Sequence, residues 1–99
     1  MRRNVERQML AAMPSGILRA GANAWRLYVL EARRVDRDWF VRVAAVGRQT
    51  HTIDVRVRAE SCHSVTAQRV LAVIRDWLLS GDGREEVFLE VAGINEQPC

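Results

Sequence analysis

Strict alternation of apolar and polar side chains over Thr50–Glu60 is the feature that most constrains this fold. Successive side chains of a β-strand point to opposite faces of the sheet, so this segment presents one apolar face and one polar face. The apolar positions are Ile53, Val55, Val57 and Ala59, and the polar positions are Thr52, Asp54, Arg56 and Arg58. The alternation predicts a strand buried on one side only, in a sheet with one outer face.

Three other segments alternate in the same way and predict further strands. Trp25–Ala32 and Trp39–Val46 precede Thr50–Glu60 in the chain, and short polar turns separate the three. Short connections of this kind favour an antiparallel meander. The segment "EEVFLEVAG" (residues 85–93) alternates again near the end of the chain. The pattern leaves open whether this last strand lies beside the third strand or beside the first.

Two segments have helical rather than alternating periodicity. The apolar residues of the first, Arg2–Met13, are Val5, Met9, Ala12 and Met13, and Pro14 ends it. The second begins at Ser64, an acceptable N-cap, and runs to about Ser80, before Gly81. Its apolar stripe consists of Ala67, Val70, Leu71, Ile74, Trp77 and Leu78. The residues between the first helix and Trp25 are interpreted as a loop or an irregular lead-in.

The element order is therefore α-β-β-β-α-β, which predicts an α+β two-layer sandwich. An antiparallel three-strand meander is followed by a helical crossover to the fourth strand. A chain of 99 residues, 48% of them hydrophobic, is expected to form a single domain around one core. Within this domain, residues 1–24 are assigned to the N-terminal helix and lead-in, and residues 94–99 to a frayed tail.

The charged residues are distributed unevenly along the chain. All 15 basic residues are arginine, which is typical of a GC-rich bacterial genome or of a phage that infects such a host. Residues 1–59 contain twelve arginines and five acidic residues, whereas residues 60–99 contain three arginines and seven acidic residues. The basic part could bind an anionic partner, or the two parts could neutralise each other after folding.

The outer face of the predicted sheet is the candidate binding surface. Its arginine and aromatic residues are Arg26, Tyr28, Phe40, Arg42, Arg56 and Arg58. Aromatic rings and guanidinium groups on a sheet could bind single-stranded nucleic acid or a protein partner. We expect instead that Glu86 and Glu90 of the last strand pair with these arginines and leave a solvated, neutralised face. Asp36 and Asp38 are assigned to the turn between the first two strands.

No cofactor or metal site is predicted. The soft metal ligands are His51, Cys62, His63 and Cys99, which lack the spacing of zinc sites. Cys62 precedes a helix whose dipole would favour a nucleophilic thiolate, but no residue that would orient the thiolate is identifiable. We therefore expect no enzymatic activity, and a Cys62-based activity is the alternative.

The sequence also bears on location. No stretch of 18 apolar residues is present, so no transmembrane helix is predicted. The N-terminal segment has a basic start and an A-x-A-like sequence at residues 22–24, as in export signals. Glu6, the break at Pro14 and Arg19 interrupt this pattern, so we expect a cytoplasmic protein, with export as the alternative.

The leading hypothesis is a small, non-enzymatic bacterial or phage interaction domain. We expect it to bind a protein partner or to form a homodimer or larger homo-oligomer. An exposed strand edge, the first helix or the outer sheet face would be the contact surface. Binding of single-stranded nucleic acid through the outer face is the alternative.

Overall fold

The computed structural model describes residues 16–58 and 63–91, together with Arg7, Ala11 and Met13; of residues 63–65 it describes the backbone only. The described residues form a mixed α+β fold with five strands and one helix. Their bounds are β1 (Gly16–Ala20), β2 (Asn23–Val35), β3 (Asp38–Val46), β4 (Thr50–Arg58), α1 (His63–Ser80) and β5 (Glu86–Val91). The strands lie in one sheet in the order β1-β2-β3-β4-β5. All neighbours are antiparallel except β4 and β5, which are parallel.

The interpretation of residues 16–20 as a loop or irregular lead-in is wrong, because these residues form strand β1. Ala20 lies opposite Asn23, so Gly21 and Ala22 alone connect β1 to β2. Gly21 has a φ of +65° at the first of these two turn positions, which is the glycine position of a type II′ hairpin turn. A strand of only five residues gives too short an alternation to be distinguished from a loop by pattern.

Strand β2 is longer than predicted and contains a β-bulge. It begins two residues before Trp25 and continues to Val35, and Asp36 then adopts a φ of 56° in the turn to β3. The register between β2 and β3 shifts between Val29 and Glu31. A bulge inserts one unpaired residue and changes which face the following side chains occupy. Simple alternation across the predicted strand therefore fails beyond Val29.

Helix α1 and the strands share one hydrophobic core. The helix begins one residue before the predicted N-cap, and it ends at Ser80 as predicted. Its buried residues Val70 and Ile74 belong to the same cluster as Trp39, Val43 and Ile53 of the sheet. The predicted apolar stripe of this helix is confirmed, because all six of its residues are buried or pack against this core. The sheet face opposite α1 is called the open face below.

His51, near the start of β4, contacts the residues that come just before β5. Its ring is only 3% exposed and lies between Trp25 and Trp77, with ring centroids 5.2 and 5.1 Å away. Nδ1 of His51 lies 2.6 Å from the carbonyl oxygen of Arg84. Since a carbonyl can only accept, Nδ1 carries the proton in this contact. Next to it, the backbone N–H of Thr52 donates to the carbonyl of Glu85 at 2.7 Å.

Trp25 covers this region from β2 and requires a glycine nearby. A Cβ atom at Gly47 would lie 2.6 Å from Cε3 of the Trp25 ring. This distance is far below van der Waals contact, so the indole can occupy its position only because residue 47 has no side chain. The aromatic cluster around His51 therefore requires a glycine in the turn after β3.

Two regions of the sequence analysis lie outside the described residues. Apart from Arg7, Ala11 and Met13, the predicted N-terminal helix is one of them, and the predicted tail is the other. Met13 is buried and belongs to the core. No helix among the described residues is long and apolar enough to cross a membrane.

We expect the variant His51→Phe to lower the free energy of unfolding by about 1–3 kcal/mol. Phenylalanine preserves an aromatic ring between the two tryptophans but leaves the Arg84 carbonyl without its donor. Urea denaturation of the purified chain measures the change. Thr50→Val, on the exposed neighbouring residue, is the control and should change stability by less than about 0.5 kcal/mol. Equal stability of His51→Phe and the native chain would contradict this role of His51.

Candidate interaction surface

The six residues predicted for nucleic-acid or partner binding all lie on the open face, but the structure divides them into two groups. The central group, on β3 and β4, consists of Phe40, Arg42, Arg56 and Arg58. The second group, Arg26 and Tyr28, lies on β2 opposite Val46 and Ala44. The predicted residues therefore do not form one continuous basic surface.

Asp38 is hydrogen-bonded to one arginine of the central group and lies near a second. Nε and Nη2 of Arg56 both donate to Oδ2 of Asp38, at 2.9 and 2.6 Å. Nε of Arg58 lies 4.0 Å from the other oxygen of the same carboxylate. The Asp38 side chain is only 16% exposed. These hydrogen bonds, and then the charge of the carboxylate, raise the pKa of Arg56 above its ordinary value.

The interpretation of Asp38 as a turn residue is wrong, because Asp38 is the first residue of β3 and lies opposite Arg58. Only Asp36 of the two aspartates lies in the turn itself. The end of a predicted strand is accurate only to within a residue or two. Here that difference moves Asp38 from the turn into β3. Placed in the ladder, Asp38 is a neighbour of the β4 arginines.

Arg42 is neutralised on both sides along its row of the sheet. Its Nε donates to Oδ1 of Asp54 at 2.8 Å, and its other cross-strand neighbour is Glu31. The hydrogen bond to Asp54, and then the charge of that residue, raise the pKa of Arg42 above its ordinary value. Glu31 also pairs with Arg33 of its own strand, at 2.9 Å. Charges of opposite sign therefore alternate across the centre of the open face.

Phe40 is partly covered by one of these arginines. The guanidinium carbon of Arg56 lies 5.8 Å from the centre of the Phe40 ring, within the range of a cation–π contact. The ring is half-buried. A base could stack on Phe40 from this side only by displacing a guanidinium that is itself held by Asp38. The central group is thus organised by its own contacts.

The position of β5 answers the question that the sequence left open. β5 lies beside β4, with Glu90 opposite Arg56 and Glu86 opposite Thr52. The two glutamates thus approach the arginines, but the direct hydrogen bonds come from Asp38 and Asp54. Glu90 contributes a smaller increase to the pKa of Arg56. Neutralisation of the face by these two glutamates was expected, but the aspartates responsible for most of it were not anticipated.

The outer edge of β2 is a feature that the sequence did not reveal. β1 pairs only with Asn23–Leu27 of β2. Of the remaining eight residues, Tyr28–Val35, all except the bulge residue Leu30 pair with β3 on one side, and no described strand lies on their other side. Because the predicted strand ended at Ala32 and β1 was not predicted, neither the length of this edge nor its partial cover could be recognised. The β2 edge below means Tyr28–Val35.

The remaining predicted positions do not assemble into a chemical site in the described structure. His51 is buried and bonded to a backbone carbonyl. Cys62, Cys99 and the side chain of His63 lie outside the described residues. Among the residues that are described, no group of three or more histidine, cysteine or acidic side chains could hold a metal ion.

Comparisons of the chain with protein-family models, with curated proteins and with solved structures find no match. The function is therefore inferred from the geometry of the chain itself.

We expect Asp38→Asn to increase retention on a heparin column. The substitution removes the carboxylate that is hydrogen-bonded to Arg56, so its guanidinium becomes free to bind an anion beside that of Arg58. Asp82→Asn is the matched control, because it changes the net charge equally and releases only Arg84, in the loop between α1 and β5. The measurement is the salt concentration at elution. Elution of the two variants at the same salt concentration would contradict the proposed neutralisation by Asp38.

Proposed function

We propose that this chain is a small, non-enzymatic bacterial or phage interaction domain, and that it binds an extended protein segment as an additional strand along the β2 edge. The observation that carries the proposal is that Tyr28–Val35 is paired on one side only within the described structure. An unpaired strand edge presents backbone N–H and C=O groups in a row, which is a template for another strand.

The length of the β2 edge supports the proposal. Beyond the bulge at Leu30, Glu31–Val35 is an uninterrupted segment of five residues, close to the average strand length of about five to six, so a partner strand of ordinary length can pair along it. Exposed apolar side chains accompany this backbone: Tyr28 is 46% exposed and Leu30 is 57% exposed. A bound strand would cover part of this apolar surface as well as pair with the backbone.

The other two edges of the sheet are less suited to strand addition. The outer edge of β1 is five residues long and includes Arg19 on the exposed side. β5 has six residues, of which Glu86 and Glu90 are exposed. Short edges and charged side chains are the usual means by which proteins prevent edge pairing. The β2 edge is longer, its charges are of both signs, and its bulge, which also opposes edge pairing, is confined to Leu30.

Selection of peptides from a phage-displayed library against the immobilised chain tests this function. We expect the enriched peptides to bind the native chain and to lose at least tenfold in affinity for Leu30→Lys, since a lysine at this edge opposes strand addition. Leu79→Lys is the matched control, because Leu79 is exposed to a similar extent, 53%, on α1. Enriched peptides that bind Leu30→Lys as tightly as the native chain would contradict the proposal.

Binding of single-stranded nucleic acid is a second proposal, favoured by the group of Arg26 and Tyr28. Arg26 is exposed and has no ion-pair partner among the described residues, and the exposed ring of Tyr28 lies two positions further on the same face. A guanidinium beside an exposed ring can contact a phosphate and stack a base. The pairing of the central arginines limits this surface to one end of the open face.

We expect a labelled oligothymidine to bind weakly at low salt if this second function holds. Its affinity should fall with salt, and Arg26→Gln should reduce the slope of that dependence by about one unit. Fluorescence anisotropy over a salt series measures both quantities. Arg75→Gln, on the exposed side of α1, is the control for loss of one charge. Absence of binding at low salt, or equal slopes for the two variants, would contradict nucleic-acid binding by Arg26.

A further inference from the structure

We propose that the strand that pairs with the β2 edge is the β2 edge of a second copy of this chain, in an antiparallel register centred on Ala32. The inference rests on the proposed function and adds the identity of the partner. The two sheets would then continue into one sheet that passes through both copies. A twofold axis perpendicular to the sheet at Ala32 relates them, and both α1 helices lie on the same side.

The charges on the β2 edge are complementary to themselves about Ala32. With Ala32 opposite Ala32 of the second copy, Glu31 lies opposite Arg33 of that copy, and Arg33 lies opposite its Glu31. Opposite charges that face each other across antiparallel strands stabilise the pair. The symmetry produces this contact twice, so a single two-residue pattern specifies both halves of the interface.

The faces of the sheet agree with this register over its central pairs, Glu31 to Arg33. Beyond the bulge at Leu30, Val29 on the core side would oppose Val35 on the open face, so regular pairing is confined to the centre. Within one copy, Glu31 lies opposite Arg42 and Arg33 lies opposite Phe40, both of which are on the open face. Ala32 lies opposite the buried Val41, on the core side. Residues that oppose each other in an antiparallel sheet project from the same face. Glu31 and Arg33 of two copies fulfil this condition, and both side chains are exposed enough to meet across the interface.

Neighbouring registers are disfavoured by charge or by geometry. An axis through Glu31 places the two copies of Glu31 opposite each other, and an axis through Arg33 does the same for Arg33. Like charges directly opposite each other destabilise a strand pair. An axis between two residues would place an open-face side chain opposite a core-side one. Among axes through Glu31, Ala32 or Arg33, only the one through Ala32 brings opposite charges together.

The same reasoning disfavours self-pairing of β5. Antiparallel pairing of β5 about Phe88 would place Glu86 opposite Glu90 of the second copy, twice. The short β1 edge has no acidic residue that could face its Arg19. Of the edges in the described structure, the β2 edge is therefore the one whose charges favour another copy of itself.

A pair of charge reversals tests the register. In Glu31→Arg, the new arginine faces Arg33 of the second copy, and in Arg33→Glu, the new glutamate faces Glu31. Each variant alone thus has two like-charged pairs and should dissociate at concentrations at least tenfold higher than the native dimer does. When the two variants are mixed in equal amounts, position 31 of the first faces position 33 of the second with opposite charge at both contacts. The mixture should form a heterodimer.

Sedimentation velocity of the full chain measures these masses over a concentration series. Arg75→Glu is the matched control for Arg33→Glu: it makes the same change in charge on the exposed side of α1, away from the β2 edge, and it should remain dimeric. Restoration of the dimer by mixing also shows that both variants are folded. A native chain that remains monomeric up to about millimolar concentration would overturn the inference, as would variants that dimerise alone or a mixture that stays monomeric.

The two proposals fail in different ways. A monomeric native chain that still selects peptides sensitive to Leu30→Lys retains strand addition but does not pair with itself. A monomeric chain that selects no such peptide loses both functions. A dimer that follows the charge reversals but selects no peptide retains self-pairing as the sole use of the β2 edge.

Discussion

The parallel pairing of β5 with β4 is the interaction on which the rest of the structure depends. It fixes which strands are interior and which are at an edge, and it carries Val87 into the core beside Ile53. The contact of His51 with the Arg84 carbonyl and the N–H of Thr52 on Glu85 hold the end of the loop against β4. With β4 covered by β5, the free strand edges of the described residues lie at the other side of the sheet and along β5 itself.

The open face follows from this arrangement and from the two aspartates of the β3–β4 ladder. Asp38 and Asp54 each hold an arginine by hydrogen bonds, and the acidic β5 lies on the flank of β4. The excess positive charge of the first 59 residues is therefore offset by short-range ion pairs on the open face. It is not offset by a general attraction between the basic and the acidic part of the chain. Because the central charges of the open face are already paired with each other, this face is a poor site for binding an anion. The strand edges are therefore the more important surfaces for recognition of a partner.

Alternation and helical periodicity predicted much of this fold, because both patterns report directly on one buried face. They identified β3, β4, α1 and β5, and they placed Arg42 and Arg56 on the outer face. They failed where the chain departs from regular geometry. The bulge after Val29 interrupts the alternation, and β1 is too short to show one. The ion pair of Arg56 with Asp38 depends on register between strands, which no single strand's pattern contains.

The helical crossover between β4 and β5 also has a consequence for folding order. β1 to β4 are joined by tight turns and can pair locally, whereas β5 must wait until α1 has been made and docked. Until then, β4 presents a second bare edge whose inward side chains, Ile53, Val55 and Val57, are apolar. A newly made chain therefore passes through a stage in which two edges compete for strands. Docking of α1 and β5 covers this edge of β4.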